Sequence, residues 1–157
     1  MYKKIMVPVD GSELAECVMS HIKTIAKASG VQTVVFVRVF EPVNETSLRG
    51  YADFSLGENR IKQVDARGKA SAQSYLDKLV SGLDYGKVNI QKEVLVGRAA
   101  ESLAEYAKKN DVGLIIMATH GRSGVSRWVL GSVTERLLRS VSVPVLMVRP
   151  PGCEPLA

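Results

Sequence analysis

Apolar runs and stretches of helical spacing alternate along this chain. Lys4 to Val9 is apolar at successive positions, and so on both faces, as in a parallel strand covered by helices on two sides. Asp10-Gly-Ser-Glu then supplies turn and cap residues. From about Glu13 to Ser29, Leu14, Cys17, Val18, Ile22, Ile25 and Ala26 recur near the helical period, which predicts a first helix. Gly30 is placed to close it in a left-handed conformation. Thr33 to Phe40, rich in β-branched residues, predicts a second strand.

Helical spacing resumes from about Arg60 to Leu83, with Ile61, Val64, Ala72, Leu76 and Leu79 on one stripe and Gly68 interrupting it. Val88 to Val96 predicts a third strand ending at Gly97. Ala99 to Lys109 predicts a helix with Ala100, Leu103, Ala104 and Ala107 inward. Val112 to Met117 predicts a fourth strand, Ser132 to Ser140 a helix, and Val143 to Val148 a fifth strand. Strands alternating with helices imply right-handed crossovers and a mostly parallel sheet, so the fold class is α/β. Two segments break the alternation. Residues 41–59 lose all periodicity and are expected to be a lid or a mobile segment. Residues 150–157, opened by Pro150-Pro151-Gly152, are expected to be a frayed tail, which leaves a single domain over residues 1–149.

Composition narrows the class. A chain of 157 residues is about one domain's worth of core, and 46% apolar with 24% charged residues excludes a disordered protein. The net charge of +5 would favour anionic partners, but the basic residues interleave with acids, as from Glu101 to Lys109. That pattern reads as a solvated surface, and no nucleic-acid partner is expected. Cys17 and Cys153 are too few and too far apart for a disulfide framework or a four-ligand zinc site, which fits a reducing cytoplasm. The run Ile5 to Val9 is too short for a signal-peptide core, and none approaches the roughly 18 residues that cross a bilayer. A cytoplasmic protein without a membrane partner is expected.

In open α/β sheets ligands collect outside the carboxyl ends of the strands, where the strand order reverses. Two strand ends here carry suggestive residues: Pro8-Val9-Asp10, and ATHGRSGVSRWVLGSVT from Ala118 to Thr134. The Walker A loop is ruled out because no Gly-Lys-Ser or Gly-Lys-Thr occurs. The dinucleotide loop is ruled out because Gly11 is the one glycine between Val9 and Glu16. What remains is His120-Gly121, nine residues, then Gly131-Ser132 at a helix start. Glycines let backbone N–H groups approach a phosphate, and a helix N-terminus offers unpaired donors and a positive dipole end. Ser132-Val-Thr-Glu135 is also a capping box, which would satisfy those donors without a ligand, although a cap explains none of Gly121, Gly124 or Gly131. Asp10, three residues before Glu13, is likewise either a ligand group or a cap for the first helix.

These stretches carry a resemblance. Ile5-Met-Val-Pro-Val-Asp-Gly-Ser12, Val96-Gly-Arg-Ala-Ala-Glu101, Met117-Ala-Thr-His-Gly-Arg-Ser-Gly124 and Gly131-Ser-Val-Thr134 are similar to universal stress proteins of the UspA type, from Lys4 to Arg149. The last two stretches resemble the signature of the ATP-binding branch: Gly, two residues, Gly, nine residues, Gly-Ser/Thr. The resemblance implies a three-layer α/β/α fold of the adenine-nucleotide α-hydrolase-like kind, with five parallel strands in the order 3-2-1-4-5. It implies ATP as cofactor, with Mg2+ held mainly by the phosphates. It also implies a homodimer through the last strand, Val143 to Val148, an apolar strand that would otherwise leave a bare sheet edge.

By the same resemblance Pro8, Val9 and Asp10 line the adenosine pocket, with Asp10 toward the ribose or a phosphate-bound magnesium, and Val39 meets adenine through its backbone. Met117, Ala118, His120 and Gly121 match ribose and phosphate positions, and Gly131, Ser132, Val133 and Thr134 hold the phosphates. Arg122 and Arg127 read as solvated, and Trp128 as packing beneath the loop. Ala118 stands where the signature has its first glycine, which adds a methyl at the strand end. No Ser-His-Asp or paired-carboxylate set assembles from local spacing, and His21 lies within the first helix. The expected function is a nucleotide-dependent regulatory or stress-response module with slow hydrolysis at most. The alternatives are an interaction protein of the same fold with an empty pocket, Ala118 marking the loss, and an ATP-consuming enzyme whose acceptor substrate binds under residues 41–59.

Overall fold

The computed structural model describes residues 2–28, 30–42, 58–119 and 131–149. The strands are β1 (Lys4–Pro8), β2 (Thr33–Phe40), β3 (Asn89–Val96), β4 (Leu114–Ala118) and β5 (Val145–Val148). Between them lie α1 (Met19–Ala28), α2 (Glu58–Ser81), α3 (Ala99–Lys109) and α4 (Ser132–Ser140). All strands pair in parallel, in the order β3-β2-β1-β4-β5. The chain therefore steps outward from β1 to β3, crosses back, and lays β4 and β5 on the other side of β1. That reversal opens a crevice above the carboxyl ends of β1 and β4.

The first helix differs from its expected form. It opens as a 3-10 segment, Glu13–Val18, and becomes α-helical only at Met19. Its stripe is nonetheless the expected one, with Val18, Ile22 and Ala26 buried; the side chain of Leu14 lies outside the described residues. Gly30 has φ +65, the left-handed closure its position called for. The last strand begins at Val145, two residues later than expected, because Pro144 has no N–H to give to the ladder. Residues 43–57 and 150–157 lie outside the described residues.

Two apolar layers enclose the sheet. Ile5, Val7, Val34, Phe36 and Ile116 pack on one face with Val18, Ile22 and Leu76 from the α1 and α2 side. Met6, Val35, Val37, Ile115 and Met117 pack on the other with Leu103, Ala107 and Leu137 from α3 and α4. Each fully buried large side chain of this kind stabilises the fold by about 1.5–3 kcal/mol. Among the described residues no helix is long and apolar enough to cross a membrane.

Gly68, which weakens the helical pattern of α2 in sequence, has a packing reason. A Cβ there would stand 2.2 Å from Cε2 of Phe40, the last residue of β2, so only glycine lets the helix lie on that ring. The contact also marks where the sheet ends along α2. Residues before Gly68 project past the strand ends, and Val64, one turn earlier, is 46% exposed although it lies on the apolar stripe. Gly68 and Ala72 are the residues that α2 contributes to the wall of the crevice.

Candidate functional site

The crevice is a cleft of about 570 Å³, within the usual range of small-molecule sites. Three chain segments of the expected site meet in it. Pro8, Val9 and Asp10 come from the end of β1, and Met117 and Ala118 from the end of β4. Gly131, Ser132, Val133 and Thr134 come from the start of α4, and Val39 closes the set from β2. His120 and Gly121 lie outside the described residues, as do Arg122, Gly124, Arg127 and Trp128.

Backbone pairing holds these ends together. Val9 N–H donates to Val37 O at 2.9 Å, which keeps the chain in the sheet one residue beyond β1. Asp10 then starts the turn and Gly11, at φ +86, completes it. Asp10 is not the helix cap. Ser12 is: its Oγ accepts from Ala15 N–H at 3.2 Å, while Asp10 Oδ1 accepts from both Ser12 N–H (2.9 Å) and Ser12 Oγ–H (2.6 Å). Asp10 thus holds the cap instead of forming it.

The capping box weighed as the alternative at α4 does not form either. Ser132 is already the first helical residue, and the cap position falls to Gly131, which has no side chain to accept with. Glu135 turns to Arg139, one turn along, at 3.0 Å. The first-turn N–H groups of α4 therefore face the cleft with no side-chain acceptor among the described residues. Gly131 N–H donates to Thr119 O at 3.2 Å, and Thr119 N–H to Val148 O at 2.9 Å, which fixes this helix end over β4. Thr134 is 4% exposed and tucked under Gly131, whereas Ser132 is exposed. Among the described residues a Cβ at Gly131 would come no nearer than 3.4 Å, and its φ is −52, so neither they nor the backbone demand glycine there.

Ala118 belongs to the buried cluster on the α1 side of the sheet, with Val9, Ala15 and Ile116. Only 9% of the residue is exposed, and it also lines the cleft.

Several lining residues were not picked out by sequence reasoning: Arg38, Phe40 and Glu41 at the end of β2, Gly68 and Ala72 on α2, and Ala99 and Leu103 on α3. Arg38 had a signal, since a charged residue inside the buried run Thr33 to Phe40 is unusual unless paired. Its guanidinium lies 4.9 Å from the centroid of the Tyr75 ring, a cation–π contact. The Tyr75 hydroxyl donates to Glu16 Oε1 at 2.9 Å, and burial, then this bond, holds the phenol well above its ordinary range and therefore neutral. Glu41 had no signal. Its carboxylate accepts the Ala99 N–H at 2.9 Å and so closes the start of α3 from 58 positions away.

The comparisons with known proteins agree with this architecture. The model of the universal stress protein family matches residues 1–149. Universal stress protein MJ0531 of Methanocaldococcus jannaschii is 31% identical over 154 residues, covering 98% of this chain and 86% of that protein. The solved structure of MJ0577 from the same archaeon superposes with a TM-score of 0.80 at 27% identity, covering 97% of this chain and 99% of that one. A universal stress protein solved in complex with cAMP superposes with a TM-score of 0.58 at 21% identity, covering 95% and 98%. Family match, identity and superposition span almost the whole chain, including the three segments that meet in the cleft, and this protein belongs to the universal stress protein family.

Proposed function

We propose that this protein binds ATP in the cleft and acts as a nucleotide-dependent regulatory or stress-response module, with slow hydrolysis at most. One observation carries the reading: the start of α4, with no side-chain acceptor for its first-turn N–H groups among the described residues, opens onto a cleft that also gathers the ends of β1, β2 and β4. Unpaired N–H groups at a positive dipole end suit the phosphates. The apolar floor of Val9, Val39 and Met117 suits a purine. A protein of this fold solved with cAMP supports an adenine nucleotide as the ligand class.

In this arrangement Gly131 to Thr134 hold the phosphates, Asp10 meets the ribose and the Val39 backbone meets the base. Among the described residues no group of three or more His, Cys, Asp or Glu stands together, so Mg2+ would arrive on the phosphates. Ala118 lines a cleft that remains about 570 Å³, which supports an open pocket over a lost one. A homodimer through β5 goes with this reading: it is an edge strand, with Leu146 36% and Met147 41% exposed.

The test is to purify the protein without added nucleotide, denature it, identify the released small molecules by mass spectrometry, and then titrate the emptied protein with Mg-ATP. Released ATP or saturable binding is the expected result. A protein that releases nothing and ignores added Mg-ATP would turn the function toward its interaction surfaces.

A further inference from the structure

The Arg38 side chain is the part of the cleft that the nucleotide reading leaves without a role. Its guanidinium lies over the Tyr75 ring and beside the Gly11 turn. Besides the Tyr75 ring at 4.9 Å, a Cβ at Gly11 would stand 3.1 Å from its Cζ and Nη2 and 3.3 Å from Nη1. Near-equal distances to three atoms of the plane put Gly11 over a face of the guanidinium, not at its edge. With faces used for stacking, the in-plane N–H groups are what the side chain has left for hydrogen bonding. Tyr75 is itself tied to Glu16, so the platform under the cation is fixed.

The surroundings decide what such a cation does. Asp10, the residue before Gly11, lines the same cleft, and Asp10 and Arg38 act with opposite sign on the Tyr75 phenol, so the three groups lie within electrostatic reach of one another. Glu16 adds a second carboxylate. With two acids beside one arginine, this end of the cleft does not attract a phosphate. It also lies away from the phosphate end, since β2 and β4 flank β1 and are about 10 Å apart at the usual strand spacing. A cation within electrostatic reach of a carboxylate favours one orientation of it, and a carboxylate already holding Ser12 through Oδ1 presents its other lone pairs in a fixed direction.

We infer that Arg38 is the positioning residue of the cleft: clamped by Tyr75 and Gly11, it holds the Asp10 turn so that the carboxylate meets the ribose hydroxyls of a bound nucleotide. The inference rests on the nucleotide reading above. Lysine cannot replace arginine here, because an ammonium has no plane to stack on the ring and the turn.

The test compares Mg-ATP with its 2′-deoxy and 3′-deoxy analogues by calorimetry on the wild type, Arg38→Met and Arg38→Lys, with thermal melts to verify folding. The wild type is expected to prefer ATP over at least one analogue by about tenfold, the size of a hydrogen bond to a charged group. In Arg38→Met that ratio should shrink toward one through weaker ATP binding, with the analogue's affinity changed by less than about threefold. Arg38→Lys keeps the charge and the aliphatic stem, so it folds even if the methionine variant does not, and it should lose the ratio equally. An unchanged ratio in a folded variant, or equal loss for ATP and its analogues, overturns the positioning role. Wild-type protein that binds ATP without preferring it to either analogue overturns it too. Wild-type protein that binds no ATP overturns the nucleotide reading instead.

Discussion

The starts of α3 and α4 both stand at the cleft, led by Arg98 and Gly131, and neither leading residue closes the first turn with its own side chain. At α3 the Glu41 carboxylate reaches across from the end of β2 and takes the Ala99 N–H. At α4 no side chain among the described residues does the equivalent. Two helix ends of similar polarity thus have opposite finishes, one closed by the chain's own anion and one open to the cleft. A closed end contributes stability and has little left for a ligand. An open end forgoes that stability and keeps its donors for an anion. If the proposed nucleotide binds, the contrast directs its phosphates to one of the two helix ends.

Gly131→Val should separate the two ends most sharply. The nearest protein atom to a Cβ is 3.4 Å away and φ is ordinary, so the fold should tolerate the change with a melting shift of about 2–4 °C at most. The added methyls would stand over the N–H groups that face the cleft. Mg-ATP affinity measured by calorimetry should fall about a hundredfold or more, or ~2.7 kcal/mol. Unchanged affinity in the folded variant would show that phosphates do not use this helix end.

Ser132→Asp should give effects of opposite sign. A carboxylate in the first turn of α4 interacts favourably with the helix dipole, so stability should rise by about 0.3–1 kcal/mol in denaturant titrations. The same charge would occupy and repel from the anion position, and Mg-ATP affinity should drop about tenfold. If stability and affinity move together, the end of α4 is not the phosphate site.

Glu41→Ala should do the reverse at α3. Loss of the carboxylate that closes the helix should cost about 1 kcal/mol, the usual worth of a cap. Mg-ATP affinity should stay within about threefold, since the proposed phosphate position is at α4 and not at this end. A clear gain in affinity would mean that opening α3 creates a second anion position, and the contrast between the ends would then be set by Glu41 alone.

The sequence made the fold legible because its signals were local and repeated. Apolar runs such as Val34 to Val37 and stripes such as Val18, Ile22 and Ala26 each fall on a buried face. Most of the cleft was legible for a different reason: Pro8 to Asp10, Met117-Ala118 and Gly131 to Thr134 are contiguous motifs whose ends the topology brings together. What stayed hidden depends on distant partners. Gly68 looks like a helix defect until Phe40 is laid on it, and Glu41 looks like a loop residue until Ala99 arrives 58 positions later. The Ser132 box misled because its spacing is right but the helix starts one residue too early, leaving glycine at the cap. Of the two readings left open for Asp10, the cap falls away, since the real cap is Ser12, two residues on.

The smallest expected effect is a rescue. Arg98 sits at the cap position of α3 with φ −74 and ψ 132, the extended geometry from which a short acidic side chain reaches the second or third N–H of a helix. Its existing pairing with Glu101, at 3.7 Å between exposed side chains, is worth little. Arg98→Asp introduced into Glu41→Ala should therefore return about 0.5–1 kcal/mol, because α3 then closes its own first turn. In the wild type the same change should return less. Glu41 already takes the Ala99 N–H, and two carboxylates at one helix end repel each other. The double-mutant cycle, read from denaturant midpoints, should thus show coupling between positions 41 and 98 of about 0.5 kcal/mol. Additive effects would mean that Glu41 acts on α3 without neutralising its end, and that the difference from α4 lies in the cleft's shape and not in the finish of the helix.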